Sequence, residues 1–156
     1  MFQQCRLAVQ PEWIDYNGHM NVGYYSVAFD KATDVLLDQF GLGRDYRDSE
    51  NASVFIVEAH LTYENEVHEG QNLIFSSQVL DADDKRVHFL HLMHHEQDGL
   101  LAASNELLGL HVDLGSRRAS SFSDHSRSLI ETMRAEHASL PRPKQAGRVM
   151  AIRRRD

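Results

Sequence analysis

The clearest pattern in the chain is a helical spacing of apolar positions between residues 23 and 40. Apolar side chains recur there at i, i+3, i+4 and i+7, which places them on one face of a helix. They are Tyr25, Ala28, Phe29, Ala32, Val35, Leu36 and Phe40. Gly41 follows, as is common just after a helix end. The pattern predicts one long amphipathic helix that lies with its apolar face against a sheet.

Most of the remaining apolar pattern is typical of strands. Residues 3–12 carry apolar side chains in loose alternation up to Pro11, which fits a first strand. A polar connection at 41–51 has room for one short helical turn. Four apolar runs then predict further strands at 54–63, 73–80, 87–95 and 100–114. Short polar turns join the later runs, so we predict an antiparallel meander covered by the long helix, an α+β fold.

A second helical pattern lies near the C-terminus. Ser123 and Asp124 are good N-cap residues, and the apolar residues that follow, Leu129, Ile130 and Met133, are at helical spacing. A short peripheral helix is predicted within 123–138. The chain of 156 residues is the size of one domain. We therefore expect a single domain over residues 1–140 and a flexible basic tail over 141–156.

The charge of the chain is unevenly distributed. Residues 1–140 hold 10 basic and 22 acidic residues, whereas residues 141–156 hold 6 and 1, within a formal net charge of −7. An acidic body argues against nucleic acid as the main ligand. No apolar run approaches the roughly 20 residues that span a bilayer, and the N-terminus lacks a signal-type apolar region. We expect a cytoplasmic protein without a membrane partner. Cys5 is the only cysteine, which excludes an intrachain disulfide.

The polar turn just before the long helix contains the most promising chemistry. Asp15, Asn17, His19 and Asn21 bring a carboxylate, an imidazole and two amides to the N-terminus of that helix. Such an end presents unpaired N–H groups and a partial positive charge, which suit a developing oxyanion. For each residue alone, a plain capping turn is the competing interpretation, because Asn21 is a good N-cap and Asn17 precedes a glycine.

The order of a strand, this turn, a long helix and four strands resembles the hot-dog fold thioesterases of the 4-hydroxybenzoyl-CoA thioesterase-like family, over about residues 5–114. The resemblance implies an antiparallel sheet of about five strands wrapped around one long central helix. Asp15 matches the family's catalytic aspartate, Gly18 its glycine, and His19 with Asn21 its frequent H-x-N pair. Trp13 replaces an earlier acid of the family, so Asp15 is the only carboxylate in the turn.

A closer resemblance is to the bacterial group that includes betainyl-CoA thioesterase of carnitine breakdown. The segments that carry it are 12–19, 32–34, 57–60, 85–88 and 110–113. It implies hydrolysis of a small polar acyl-CoA, betainyl-CoA being one example, to the free acid and CoA. The resemblance implies no cofactor. The acyl-CoA substrate is the expected small-molecule partner.

The resemblance also implies roles within the turn. Asp15 either attacks the thioester carbonyl or acts as a general base toward water, and the sequence leaves both open. The oxyanion would be held by amides at the helix start, those of Val22, Gly23 and Tyr24. His19 either orients the carboxylate or the substrate, or is a structural hydrogen-bonding residue.

Two further residues complete the predicted catalytic set. Asn17 either contacts the substrate or, as we expect, shapes the turn. Glu58 is a carboxylate in an otherwise apolar strand, and burying it without a function would be costly, so it is an active-site candidate. Its alternative is simple exposure on the open side of the strand.

Candidates for substrate binding fall into two groups. If the acyl group is a quaternary ammonium, aromatic side chains could contact it through cation–π interactions, with Glu58 as counter-charge. The candidates near the helix start are Trp13, Tyr16, Tyr24 and Tyr25, together with the pocket-forming Asn21. For the CoA phosphates the basic pairs are Lys85 with Arg86 and Arg117 with Arg118. The alternative role of the aromatic residues is core packing. The alternative for either basic pair is a charged hairpin tip.

Several other readings compete with this one. Five histidines lie at 88, 91, 94, 95 and 111, but strand alternation puts 88 and 94 on one face and 91 and 95 on the other, so no metal site is predicted. A hydroxyacyl dehydratase would use a histidine on or near the central helix, which carries Asp30 and Asp34 but no histidine. A non-catalytic acyl-CoA-binding protein is the third possibility.

Self-association is expected as well. One sheet covered by one helix leaves a strand edge and an apolar face open, so two chains should pair into a continuous sheet. We predict a homodimer or homotetramer whose sites lie between subunits, with Glu58 supplied by the second chain as one arrangement.

Overall fold

The computed structural model describes residues 1–152, apart from the side chains of residues 3 and 4, so the arginines at 153–155 lie outside the described residues. The strands are β1 Phe2–Ala8, β2 Ala52–Tyr63, β3 Asn72–Ala82, β4 Arg86–His95, β5 Leu101–Asp113 and β6 Arg118–Ala119. The helices are α1 Val22–Gln39, α2 Arg44–Glu50 and α3 Asp124–His137, and a 3-10 turn spans Pro11–Trp13. No helix within the described range is long and apolar enough to cross a membrane.

The sheet has the strand order β1-β3-β4-β5-β2, with the short β6 paired to β5. All of its pairs are antiparallel. The consecutive strands β3, β4 and β5 form the centre, and β1 and β2 are the edges. The predicted α+β class, an antiparallel sheet wrapped around one long helix, is confirmed. Each end of α1 lies within one residue of the predicted bounds of 23–40.

Helix α1 packs along the inner face of the sheet. Ala28, Phe29 and Ala32 are fully buried, and the ring of Phe29 meets that of Phe75 edge to face at 5.6 Å. The two small alanines allow the helix to approach the strands closely, and burial of a side chain such as Phe29 contributes about 1.5–3 kcal/mol. This packing fixes the position of the N-terminus of α1, where the predicted site lies.

Helix α3 packs in the same core as the C-terminal half of α1, and the chain beyond α3 contacts the other side of the sheet. The side chain of Ser123 caps α3 by accepting a hydrogen bond from the N–H of Ser126 at 3.1 Å, as predicted. Farther on, the N–H of Gly147 donates to Glu106 Oε2 at 2.7 Å. Glu106 faces away from α1 because its neighbour Leu107 is in the core. The chain around Gly147 therefore reaches the outer face of the sheet. The domain boundary at residue 140 and the flexibility of the tail stay predictions.

Candidate active site

The turn that precedes α1 is closed by its own hydrogen bonds. The N–H of Asp15 donates to the carbonyl of His19 at 3.0 Å, and the N–H of Gly18 donates to the carbonyl of Asp15 at 3.0 Å. Gly18 has φ +82°, a conformation that other residues rarely adopt. The N–H of Asn17 donates to Asp15 Oδ1 at 2.8 Å. The backbone of Asn17 thus holds one oxygen of the Asp15 carboxylate, and the role of its side chain stays a prediction.

The start of α1 is capped by Asn21. Its side-chain Oδ1 accepts from the N–H of Gly23 at 2.9 Å, and its carbonyl accepts from the N–H of Tyr24 at 3.0 Å. Among the three amides predicted to hold the oxyanion, only that of Val22 makes no hydrogen bond within residues 1–152. An oxyanion role therefore suits Val22 best, and the role of the other two amides stays a prediction.

Asp15 lies in a cleft of about 510 Å³ at this end of α1. The cleft is lined by Asp15, Tyr16, His19, Met20, Asn21, Val22 and Tyr25 on one side and by Tyr63, Glu64, Asn65 and Glu66 on the other. Its volume is typical of small-molecule sites. The predicted carboxylate and the free amide of the helix start therefore share one cavity that can admit a ligand.

The second wall of this cleft, residues 63–66, was not predicted from the sequence. The N–H groups of Glu64 and Asn65 both donate to the carbonyl of Ala102, at 2.8 and 3.1 Å. On the other side, the N–H of Met20 donates to the carbonyl of Val67 at 2.7 Å. The wall is thus anchored to β5 and to the turn before α1. In the sequence these residues are a polar stretch after a strand, with no local signal of a site.

His19 lines the cleft beside Asp15. Its Nδ1 lies 3.4 Å from the carbonyl oxygen of Met20, and the side chain is half-buried. The neighbouring carbonyl of Gly18 accepts a hydrogen bond from His68 at 3.0 Å. The orienting and the structural role of His19 both stay predictions.

The predicted aromatic contacts divide into two groups. Trp13 is 8% exposed and stacks on Tyr24 with ring centroids 5.8 Å apart, and neither ring lines the cleft. Within one chain both rings pack in the core, and their contact with substrate stays a prediction. Tyr16 is 97% exposed at the mouth of the cleft. Tyr25 is buried and meets Tyr63 edge to face at 5.0 Å.

The structure does not bring Glu58 to the Asp15 of the same chain. Glu58 pairs with Leu108 across the outer face of the sheet and lines a separate pocket of about 470 Å³. Within one chain Glu58 therefore lies on the open side of the strand, since its side chain points away from α1. A contribution of Glu58 to the site of a second chain stays a prediction.

Lys85 and Arg86, one of the two basic pairs predicted for the CoA phosphates, lie at the β3–β4 hairpin. The Nε of Arg86 donates to Asp83 Oδ2 at 2.7 Å, and this hydrogen bond lowers the pKa of the Asp83 carboxyl to about 2. The backbone N–H of Lys85 donates to the same carboxylate at 3.0 Å. Both residues form a charged hairpin tip away from the Asp15 cleft, and phosphate binding by them stays a prediction.

One histidine does reach the central helix. His91 is fully buried, with Nε2 3.1 Å from Thr33 Oγ1 and Nδ1 2.7 Å from Ser77 Oγ. Its nitrogens are occupied and no substrate can reach them, which argues against the dehydratase alternative. Within residues 1–152 no group of three or more His, Cys, Asp or Glu side chains could hold a metal ion.

Comparisons with known proteins agree on a family. The family model of the Thioesterase-like superfamily matches residues 9–130. The betainyl-CoA thioesterase of Pseudomonas aeruginosa is 36% identical over 144 residues, which cover 92% of this chain and 91% of that protein. A Staphylococcus aureus protein solved in complex with CoA has a TM-score of 0.89 at 27% identity and covers 98% of both chains. The fold is also that of a 1,4-dihydroxy-2-naphthoyl-CoA thioesterase from Synechocystis, with a TM-score of 0.73, 15% identity and coverage of 91% and 98%.

Proposed function

Because this chain belongs to the thioesterase-like superfamily and is a thioester hydrolase, we propose that it hydrolyses a small polar acyl-CoA to the free acid and CoA, with Asp15 as the catalytic carboxylate. The observation that supports this is the position of Asp15 in a cleft beside the free amide of Val22. Betainyl-CoA is the first candidate substrate, since a relative covering most of the chain is named for it. The proposal includes a cytoplasmic location.

The proposed chemistry needs one carboxylate. In one route Asp15 attacks the carbonyl carbon, the thiolate of CoA leaves, and water then hydrolyses the mixed anhydride. In the other route Asp15 takes a proton from the water that attacks. In both routes the N–H of Val22 and the positive end of α1 stabilise the oxyanion. The N–H of Asn17 holds Oδ1 and leaves the second oxygen of Asp15 for the reaction.

The test of this function is a hydrolysis screen. The purified chain is mixed with a panel of acyl-CoAs, including betainyl-CoA and long apolar esters, and thiol release is followed. We expect hydrolysis with a preference for small polar acyl groups. Binding of CoA esters without thiol release from any of them would instead identify a non-catalytic binding protein.

A single-turnover reaction in heavy-oxygen water separates the two routes. Label in the side chain of Asp15 supports direct attack and a mixed anhydride. Label found only in the product acid shows that water entered at the acyl carbon, as general-base catalysis requires.

Self-association through the edge strand β2 is part of the proposal. The apolar residues Phe55, Ile56 and Val57 are exposed along this strand, and in the described chain β2 pairs with β5 alone. Antiparallel pairing of two β2 strands would cover these residues and extend the sheet. A homodimer is the simplest product, a homotetramer the alternative, and the Glu58 side chains would then lie at the interface.

We predict that Val57→Lys weakens the dimer by about 10-fold or more. A lysine on a strand edge opposes edge-to-edge pairing, and a loss of about 1.4 kcal/mol corresponds to tenfold in affinity. Size-exclusion chromatography with light scattering over a range of concentrations measures the change. Leu100→Lys, at an equally exposed apolar position in the β4–β5 turn, is the matched control. A Val57→Lys protein with the mass of the wild type would rule out pairing through this edge.

A further inference from the structure

The Asp15 cleft is acidic. Its lining residues include the carboxylates of Asp15, Glu64 and Glu66 and no lysine or arginine among the residues that the structure describes. Glu64 already has partners, because Arg148 lies 3.7 Å from its Oε1 and the hydroxyl of Thr62 donates to the same oxygen at 3.3 Å. Glu66 pairs only loosely, with His68 Nε2 at 3.8 Å. Glu66 is thus the carboxylate of the second wall that is most available to a ligand.

Aromatic rings lie beside this carboxylate. Tyr25 and Tyr63 meet edge to face at 5.0 Å, with an interplanar angle of 84°. Tyr63 is 50% exposed and lines the cleft, so part of its ring is accessible to a ligand. Burial raises the pKa of the Tyr25 hydroxyl, and the nearby Tyr63 and the charge of Glu66 raise it further. Glu66 is therefore close to the tyrosine pair. The aromatic ring of Tyr63 and the negative charge of Glu66 lie on the same wall of the cleft.

This combination favours one class of ligand. A quaternary ammonium group is attracted to the face of an aromatic ring and is weakly hydrated, so it leaves water more easily than a compact primary ammonium does. A neutral acyl group of the same shape would gain only contact area, and an anionic one would be repelled by three carboxylates.

We propose that Tyr63 and Glu66 recognise a quaternary ammonium group on the acyl chain and so determine the specificity of the cleft. The inference rests on the proposed function, because it assigns the second wall of the same cleft to the acyl group. It assigns this recognition to residues of the cleft itself, whereas Trp13, Tyr24 and Glu58 lie outside the cleft of the same chain. Tyr25 retains a part in it by supporting the ring of Tyr63.

The test uses two CoA esters of the same shape that differ in charge. Betainyl-CoA carries a trimethylammonium group, and 3,3-dimethylbutyryl-CoA has a carbon atom in place of the nitrogen. We expect the wild type to prefer the cationic ester by about 5-fold or more in kcat/KM, as a partly exposed aromatic ring and a nearby carboxylate together imply. The preference should fall as salt is added, since screening weakens the attraction of partly exposed charges.

The variants separate charge recognition from packing. Glu66→Gln and Tyr63→Leu should each lower the preference about 2- to 5-fold, by reducing kcat/KM for the cationic ester while that for the neutral ester changes little. Tyr63→Phe keeps the ring and should keep the preference. Glu69→Gln removes an exposed carboxylate outside the cleft and is the matched control. Thermal melts verify that each variant is folded.

The outcomes are distinguishable. If the wild type hydrolyses both esters equally well, or if Glu66→Gln and Tyr63→Leu reduce both rates by the same factor, the specificity inference is overturned and the hydrolase remains. If the wild type releases no thiol from either ester or from any other member of the acyl-CoA panel, the proposed function itself is lost.

Discussion

Replacing Asp15 by asparagine should lower kcat by about 10³-fold or more, with the affinity for CoA esters within a few-fold of the wild type. The amide has the same shape and can still accept the hydrogen bond that the N–H of Asn17 donates at 2.8 Å. It can neither attack a carbonyl carbon nor take a proton from water. Steady-state thiol release measures the loss, and calorimetric titration of the inactive variant with an acyl-CoA measures the retained affinity.

Glu12→Gln is the matched control for this substitution. Glu12 is exposed on the 3-10 turn close to Asp15 in sequence and does not line the cleft, so its replacement should leave kcat unchanged. An Asp15→Asn enzyme with wild-type turnover would show that another group performs the chemistry. A variant that loses activity and ester binding together would instead assign Asp15 to the structure of the cleft.

The parts of the molecule that could be predicted from the sequence depend on local interactions. The bounds of α1 follow from its apolar periodicity, from the Asn21 side chain that caps Gly23, and from Gly41, whose φ of +64° ends the helix. The turn around Asp15 and Gly18 is likewise closed by hydrogen bonds between residues a few positions apart. Short-range spacing therefore predicted the long helix and the turn that carries Asp15, and the family resemblance gave Asp15 its proposed catalytic role.

The second wall of the cleft depends on pairing between distant parts of the chain. His68 donates to the carbonyl of Gly18 across 50 residues, and Glu64 is held by the carbonyl of Ala102 on β5. No local pattern marks Tyr63 or Glu66 as neighbours of the Asp15 turn. The face on which Glu58 lies follows from the pairing of β2 with β5, and alternation within one strand left both faces open.

Acidification below pH about 6.5 should destabilise the fold through His91. Complete burial lowers the pKa of this imidazole from 6.5 to about 3. The Thr33 hydroxyl donates to the carbonyl of Phe29, so His91 Nε2–H donates to Thr33 and Nδ1 accepts from Ser77, an arrangement that uses the neutral ring. Between these two pKa values His91 is protonated in the unfolded chain but not in the folded chain, so the free energy of unfolding falls as the pH falls.

The expected slope is up to about 1.4 kcal/mol per pH unit from His91 between pH 6.5 and pH 3, with its contribution fully present above pH 6.5. Burial also lowers the pKa of His94 and His137, and these groups act in the same direction. Asp83, with a pKa of about 2, acts only under more acidic conditions. Urea unfolding at several pH values between 7.5 and 4.5 measures the slope.

The variant that isolates this effect is His91→Gln. It should cost about 1–3 kcal/mol at pH 7.5, because the buried hydroxyls of Thr33 and Ser77 lose part of their hydrogen bonding. It should also make the unfolding free energy less dependent on pH, because unfolding then takes up about one proton fewer. His125→Gln, an exposed position on α3, is the matched control. If the unfolding free energy of His91→Gln changes with pH as steeply as that of the wild type, groups other than His91 cause the acid sensitivity.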